Sequence, residues 1–307
     1  MTQSRADFVP TDRWTRRALH TALAYFHLTK PRVIELLLVT TLPAMILADG
    51  EMPEIGLILT VLLGGALAAG GANTINCWIE RDRDQIMRRT AHRPLPHGDV
   101  KPRGALVFGL VLEALAFALL WSTVNLLSAV LAVSAMLFYV FVYTIWLKPR
   151  SPQNIVIGGA AGAVPVLVGW AAVTGQLAAP AWILFAIVFF WTPPHFWALS
   201  LKYYDDYKAA GIPMLPVAKG VPAAVRQIVV YSIVVVAITF TLPLTTDSVG
   251  AVYLAVAAVL GALFIAQAIR LARDTTPAQA IRLFTYSNTY LALLFAAVAV
   301  DTLLRTV

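Results

Sequence analysis

The sequence carries little charge for its length. Only 13% of its 307 residues are Asp, Glu, Lys or Arg, and 59% are hydrophobic. Soluble domains contain about 25% charged residues. A chain of this size with so few charged side chains cannot cover a soluble globule with polar surface. The scarcity of charge excludes a soluble domain and favours a membrane protein.

Cysteine is nearly absent, since Cys77 stands alone. A single cysteine excludes a disulfide framework and a metal site built from several cysteines. Residues 1–31 also lack a continuous apolar core and a small-residue cleavage site. We therefore expect no cleaved signal peptide.

Apolar runs of about 20 residues recur along the chain, which is the length a helix needs to cross the hydrocarbon layer. They lack the alternation of membrane β-strands. The sequence thus predicts an all-α membrane protein with a bundle of nine transmembrane helices. Residues 1–32 are interpreted as a cytoplasmic N-terminal segment, and residues 33–307 as the nine-helix domain. The predicted spans are 33–49, 55–79, 104–124, 127–147, 154–174, 180–201, 227–246, 249–269 and 283–303.

Basic residues lie almost entirely on one side of this predicted bundle. Every Lys and Arg except Arg305 falls in the N-terminal segment or in the connections after spans two, four, six and eight. Such residues mark the cytoplasmic side of a membrane protein. We expect a multi-pass protein of the inner (plasma) membrane, with its N-terminus cytoplasmic and its C-terminus outside. The net charge of +7 then reflects topology, and no nucleic-acid partner is expected.

A column of polar residues follows the second apolar run. Asn76, Glu80 and Asp84 are spaced four residues apart, so on a continuing helix they share one face, and Asn73 joins its upper end. Amide and carboxylate oxygens at a membrane mouth suit Mg²⁺, which prefers oxygen ligands and completes its shell with water and phosphates. The alternative, a solvated helix end, is preferred for the neighbouring Asp82.

Cations follow this column directly, among them Arg89 and Arg93. Cations beside a metal–carboxylate cluster indicate a third, highly negative partner that bridges them. A diphosphate satisfies this requirement, with the metal on one side and Arg side chains on the other.

The pattern Asn76-x3-Glu80-x3-Asp84, followed by Arg89-Thr90-x-x-Arg93 and Pro-Leu-Pro, resembles the first acidic motif of the UbiA-type intramembrane prenyltransferases. The resemblance implies nine helices and a cytoplasm-facing, magnesium-dependent site for an isoprenyl diphosphate. Glu80 stands where that family usually has Asp, which alters the reach of the carboxylate.

A second polar group follows the sixth apolar run, where Lys202 precedes Asp205 and Asp206. Here the sequence resembles the heme-farnesylating branch of the same family, and four stretches carry the likeness. They are Pro-Pro-His-Phe at 193–196, Asp-Tyr-x-x-Ala-Gly-Ile-Pro-Met-Leu-Pro at 206–216, and the stretches 28–33 and 153–163.

This resemblance implies transfer of farnesyl from farnesyl diphosphate to a vinyl group of heme B, with water addition, to give heme O and diphosphate in heme A biosynthesis. Heme B is then a substrate and Mg²⁺ the cofactor. The implied metal ligands are Asn76, Glu80, Asp84, Asp205 and Asp206. The implied catalytic residues are the first three of these with Arg89 and Arg93. The implied substrate-binding residues are Asn73, Lys30, Arg32, Lys148, His195, Lys202, Asp205 and Asp206.

His195 lies near the inner end of a span, where a buried ring nitrogen needs a partner. It either contacts the heme, as an axial ligand or through a propionate, or it binds backbone freed by the two prolines before it. Besides the bilayer, partners are expected among downstream heme-modifying or oxidase assembly proteins. Three other hypotheses stay open: prenylation of a quinone precursor, transport, and non-enzymatic heme binding.

Overall fold

The structure is a computed structural model that describes residues 12–306, except the side chains of residues 12–14, 33, 36–38 and 306. All regular secondary structure in the described residues is helical. In chain order the helices are α1 Asp12–Leu28, α2 Pro31–Asp49, α3 Ile55–Ile86, α4 Pro94–His97, α5 Pro102–Thr123, α6 Leu126–Leu137 with its π-helical continuation Phe138–Leu147, α7 Asn154–Thr174, α8 Ala179–Lys202, α9 Tyr204–Ala209, α10 Leu215–Lys219, α11 Val221–Thr239, α12 Ala251–Arg273 and α13 Pro277–Thr306.

The predicted all-helical membrane fold is confirmed. Eight helices among the described residues are long and apolar enough to cross a membrane. The first predicted span, 33–49, lies within α2. The described apolar part of α2, Val39–Asp49, is shorter than the eight helices counted as spans. The chain is therefore a multi-span membrane protein. Its orientation in the membrane stays a prediction.

Several helices extend beyond their apolar runs. The second span was predicted to end near residue 79, whereas α3 continues to Ile86. Likewise, α11 begins at Val221 and α13 at Pro277. Hydropathy marks only the part of a helix that lies in hydrocarbon, and polar residues continue the same helix into the interface. The extension of α3 matters most because it carries the polar column.

The predicted N-terminal segment contains a helix that apolar length alone did not indicate. Helix α1 buries Ala24 and Leu28 and exposes Leu19, Leu23 and Phe26. Its burial is one-sided, as expected of a helix that packs on the bundle through one face. It ends directly before Lys30, so it fixes where that lysine enters the bundle.

Small residues bring α3 and α5 into close contact. A Cβ atom on Gly71 would lie 2.8 Å from the carbonyl oxygen of Gly109 and 2.8 Å from Cγ of Glu113. Glycine is therefore required at residue 71, as is common where membrane helices approach closely. Glu113 is buried in this contact and does not join the polar column. On the other side of the molecule, α8 packs against α7, α11 and α13, and α13 also packs against α2.

Near the C-terminal end of α13, Asp301 caps the start of α12. Its Oδ2 accepts hydrogen bonds from the backbone N–H groups of Gly250 (2.6 Å) and Tyr253 (2.9 Å). Nε of Arg305 lies 3.4 Å from Oδ1 of Asp301, and its NH1 group donates to the carbonyl of Asp247. The first N–H groups of a helix have no partner within the helix, so this carboxylate acts as their cap. The same contacts give Arg305 both an acidic partner and a backbone acceptor.

We predict that Asp301→Ala lowers stability by about 1.5–3 kcal/mol, because a charged acceptor of two backbone N–H groups is lost from a buried position. The measurement is the thermal unfolding midpoint of the purified protein in detergent. Asp82→Ala is the matched control, since the Asp82 side chain is 80% exposed. Equal midpoints for the two variants would show that the Asp301 cap contributes no stability.

Candidate active site

The polar column on α3 is buried toward the C-terminal end of the helix. Asn76, Glu80 and Asp84 are 1%, 3% and 3% exposed. Nδ2 of Asn76 donates to Oε2 of Glu80 at 3.1 Å, as the shared helical face requires. These residues therefore face the protein interior, away from both lipid and bulk solvent.

Each residue of the column contacts a cation from another part of the chain. Lys148 Nζ lies 2.6 Å from Glu80 Oε2, and Arg93 NH1 lies 2.7 Å from Asp84 Oδ2. Lys30 Nζ donates to Asn76 Oδ1 at 2.7 Å. Buried carboxylates require such partners because unpaired charges are costly in a low-dielectric interior.

The π-helical segment Phe138–Leu147 places one wall of this site. Thr144 accepts a hydrogen bond from Asn76 Nδ2 at 3.0 Å, and Lys148 follows as the next residue after the segment. Tyr139 and Tyr143 stack with ring centroids 5.4 Å apart, and Lys148 lies over the Tyr143 ring. π-Helical turns are rare in proteins, and those that occur are often found at functional sites. No sequence pattern predicts Thr144, Tyr139 or Tyr143 as site residues, and their place close to Lys148 is the one available signal.

Lys30 has an unusual backbone. Its φ of 54° and ψ of 62° place it in the left-handed region, the only non-glycine residue with positive φ in the described chain. Such a conformation costs on the order of 1–3 kcal/mol and persists where the surroundings enforce it. Here Asn73 holds the preceding residue, because its Nδ2 donates to the Thr29 carbonyl at 2.9 Å. Asn73 thus positions the Lys30 turn.

The protein environment shifts the pKa values of these three cations in different directions. Burial disfavours the Lys148 ammonium, but the Glu80 carboxylate outweighs it and raises the pKa of Lys148 above its ordinary value. Burial likewise opposes the charge on Arg93, whose pKa is raised overall by Asp84. For Lys30, burial lowers the pKa, and the nearby positive charges of Arg93 and Lys148 act in the same direction.

Arg89 joins the loop after α3 to the loop after α8. Its backbone N–H donates to Asp206 Oδ2 at 3.2 Å, and its NH2 group donates to the Tyr207 hydroxyl at 3.1 Å. The guanidinium also lies over the rings of Tyr203 and Tyr207, at 5.1 and 5.5 Å from their centroids. The loop after α3 and the segment after α8 therefore meet.

Three other candidate residues, Arg32, Lys202 and Asp205, make no hydrogen bond or ion pair with the column within the described part of the chain. Lys202 is exposed, with Nζ 5.3 Å from the Tyr203 ring centroid. Arg32 and Asp205 are also exposed. Of the second acidic pair, Asp206 reaches the first loop through Arg89, and the structure gives Asp205 no such contact.

The oxygens of the column fit a magnesium ion. Oε1 of Glu80 is buried and has no hydrogen-bond partner within residues 12–306, although buried polar atoms are normally paired. Mg²⁺ is usually held by one or two carboxylates together with water and substrate phosphates. Glu80 and Asp84, with the Asn76 amide, supply that donor set. No group of three or more His, Cys, Asp or Glu side chains suited to a metal occurs in the described residues, so the acidic pair of the second loop does not complete one.

His195 is buried on α8, which continues without a break through Pro193 and Pro194. Its Nδ1 lies 2.7 Å from Oγ of Ser287 on α13. The partner is thus a side chain, and the hypothesis that His195 binds backbone freed by the prolines is wrong for this nitrogen. Ser287 is 92 residues away in the chain, and no sequence signal pointed to it.

Comparison with known proteins identifies the fold and the family. The structure resembles one reported in a study of digeranylgeranylglyceryl phosphate synthase, with a TM-score of 0.75 at 20% identity, covering 92% of this chain and 99% of that one. It also resembles a UbiA homolog from Archaeoglobus fulgidus bound to GPP and Mg²⁺, with a TM-score of 0.63 at 19% identity, covering 90% of this chain and 99% of that one. At these identities the likeness shows the fold alone.

The sequence relatives are much closer. A protoheme IX farnesyltransferase of Mycolicibacterium smegmatis is 52% identical over 295 residues, which is 95% of each chain. One of Mycolicibacterium paratuberculosis is 54% identical, covering 92% of this chain and 91% of that one. The model of the UbiA prenyltransferase family matches residues 37–296, well over half of the sequence. This chain therefore belongs to the UbiA prenyltransferase family.

Proposed function

We propose that this protein transfers a farnesyl group from farnesyl diphosphate to a vinyl group of protoheme IX (heme B), with addition of water, and so forms heme O and diphosphate. The relatives that match nearly the whole chain are protoheme IX farnesyltransferases. The alternative that the acceptor is a quinone precursor has no such support.

One structural observation carries the proposal: a buried column of oxygens on α3 is surrounded by three cations from three different segments. Each cation is within hydrogen-bond distance of a column residue, so the acidic and basic groups form one compact site. A diphosphate with its metal is the kind of ligand that such a mixed site accommodates. A transporter or a heme-binding protein has no need of this arrangement.

Mg²⁺, when bound at Glu80 and Asp84, supplies a Lewis acid that stabilises the departing diphosphate. The chain itself provides preorganised positive charge where negative charge develops. Lys148, Arg93 and Lys30 are held within reach of the diphosphate by their present partners on α3. Arg89 fixes the second loop over the site and adds a further cation.

The burial of the site serves the chemistry as well. Breaking the allylic C–O bond leaves a reactive carbocation that bulk water would capture. The Tyr139 and Tyr143 rings lie next to Lys148, and their π-faces suit a positively charged neighbour. The apolar interior of the bundle receives the farnesyl tail. Water then adds only after the vinyl group has formed its new C–C bond.

We further propose that the protein lies in the plasma membrane with its N-terminus and this site on the cytoplasmic side. The distribution of Lys and Arg supports this orientation. Downstream heme-modifying or oxidase assembly proteins are the proposed protein partners, since they would receive the product.

The proposed function predicts a defined product. Membranes that contain the protein should convert farnesyl diphosphate and protoheme IX, with Mg²⁺, to a heme heavier by one hydroxyfarnesyl group, and chelation of Mg²⁺ should stop the reaction. Mass spectrometry of extracted pigments measures this product, with a quinone precursor offered as competing acceptor. Prenylation of that precursor, with unchanged heme, would refute the proposal.

Asp84→Ala should abolish product formation while the protein still inserts into the membrane, because a metal ligand is lost and no apolar contact is. Asp82→Ala is the control from the same helix turn, since Asp82 is exposed and pairs with the adjacent Arg81. Both variants are compared by product yield and by the amount of protein in the membrane fraction. Wild-type turnover by Asp84→Ala would remove the metal site from this mechanism.

Lys148→Met should lower kcat by about 100-fold, the usual effect of losing one preorganised charge-stabilising group. Because it also leaves Glu80 with a buried, uncompensated charge, the unfolding midpoint is measured in parallel. Lys148→Arg keeps the charge and should recover part of the activity, and the exposed Lys219→Met should retain all of it. If Lys148→Met and Lys219→Met turn over equally fast, Lys148 does not act on the diphosphate.

A further inference from the structure

The hydrogen bonds of Ser287 assign a tautomer to His195. The Ser287 hydroxyl has one proton, which it donates to the carbonyl oxygen of Phe284 at 2.7 Å. Toward His195 the same hydroxyl therefore acts as an acceptor, over a distance of 2.7 Å. An imidazole that donates to a neutral hydroxyl must carry its proton on Nδ1. The lone pair is thus on Nε2.

The orientation of the ring is fixed as firmly as its tautomer. His195 stacks between Trp191 and Phe284, with centroid distances of 4.2 and 4.4 Å. Trp191 in turn donates from Nε1 to the backbone carbonyl of Ser287 at 2.8 Å. Two aromatic faces and a hydrogen bond leave the imidazole no freedom to turn. Histidines that bind metals usually donate their other ring N–H to a fixed acceptor, which is the part that Ser287 takes here.

Nε2 itself is accessible and without a partner. No hydrogen bond joins it to any residue of the described chain, yet it is not among the fully enclosed polar atoms that lack partners. His195 as a whole is only 7% exposed. The ring is thus more than nine-tenths buried, while the lone pair of Nε2 has no partner among the described residues.

His195 lies at the same depth as the polar column. It is about 10 Å from the inner end of α8 at Lys202, and Glu80 is about 9 Å from the inner end of α3 at Ile86, at 1.5 Å of rise per residue. The two ends belong to the same face, because Arg89 beyond α3 contacts Asp206 beyond α8. A substrate bound at His195 is therefore level with a diphosphate bound at the column.

We infer that Nε2 of His195 is an axial ligand of the iron in the porphyrin acceptor, and that Ser287 holds it in the tautomer this requires. The inference rests on the proposed function, since it takes a heme as the acceptor. An axial bond fixes the height and tilt of the macrocycle. His195 is then a substrate-binding residue that brings the vinyl edge level with the allylic carbon.

The test uses the purified full chain in detergent and ferric protoheme IX as the probe, without farnesyl diphosphate. Wild type should give the absorption and electron paramagnetic resonance spectra of histidine-ligated heme. His195→Ala should lose that ligation and bind at least about 10-fold more weakly, and added imidazole should restore the spectrum. Ser287→Ala keeps the histidine ligand but removes the hydrogen bond that holds it. We therefore expect about 10-fold weaker binding with histidine ligation retained.

Iron-free protoporphyrin IX separates ligation from packing. Its binding should be equal in wild type and His195→Ala, because the lost interaction is with iron. His97→Ala is the matched control, since the His97 ring is exposed and pairs with Asp99. An unchanged heme spectrum in His195→Ala, no heme binding by wild type, or equal loss of iron-free and iron porphyrin would each overturn the inference.

Failure of the inference is distinct from failure of the proposed function. If His195 ligates heme but no farnesylated heme forms under any condition, the ligand assignment stands and the proposed reaction fails. If farnesylated heme forms and the spectrum of His195→Ala matches that of wild type, the reaction stands and the ligand assignment fails.

Discussion

The structure depends above all on the ion pair between Lys148 and Glu80. The two groups meet at 2.6 Å where both are nearly enclosed by protein, so neither charge tolerates the loss of the other. Glu80 is on α3 and Lys148 follows the π-helical end of α6, so the pair holds two helices in a fixed register. Asn76 and Thr144 extend the same network with hydrogen bonds. A buried carboxylate that must be paired thereby creates the cationic surroundings a diphosphate needs.

The site has two walls that perform different tasks. Helix α3 and the π-helical segment carry the oxygens and cations suited to a diphosphate, while α8 and α13 carry the aromatic box around His195. Arg89 links the two sides through Asp206 and Tyr207. The charged groups on α3 and the π-helical segment suit the diphosphate of a prenyl donor. In the proposed function, the side formed by α8 and α13 binds the acceptor.

The fold is shared with proteins that are only 19–20% identical to this chain, whereas the proposed acceptor rests on relatives more than 50% identical. A fold hosts many functions, and the site residues select among them. The local polar pattern at residues 76, 80 and 84 was sufficient to predict that these residues share one face, because helical periodicity alone places them together. On α8 the sequence singled out His195 but not its partner Ser287, which lies on α13.

The sequence by itself determined the helical membrane fold, the limits of the apolar runs and the shared face of Asn76, Glu80 and Asp84, because hydropathy and a period of 3.6 residues are local properties. It did not determine which cation meets which column residue, that Lys30 adopts a left-handed backbone, or that Thr144 joins the site. Nor did it show that Ser287 holds His195 or that Asp301 caps α12. These contacts join residues dozens of positions apart, so only the packing of the helices decided them.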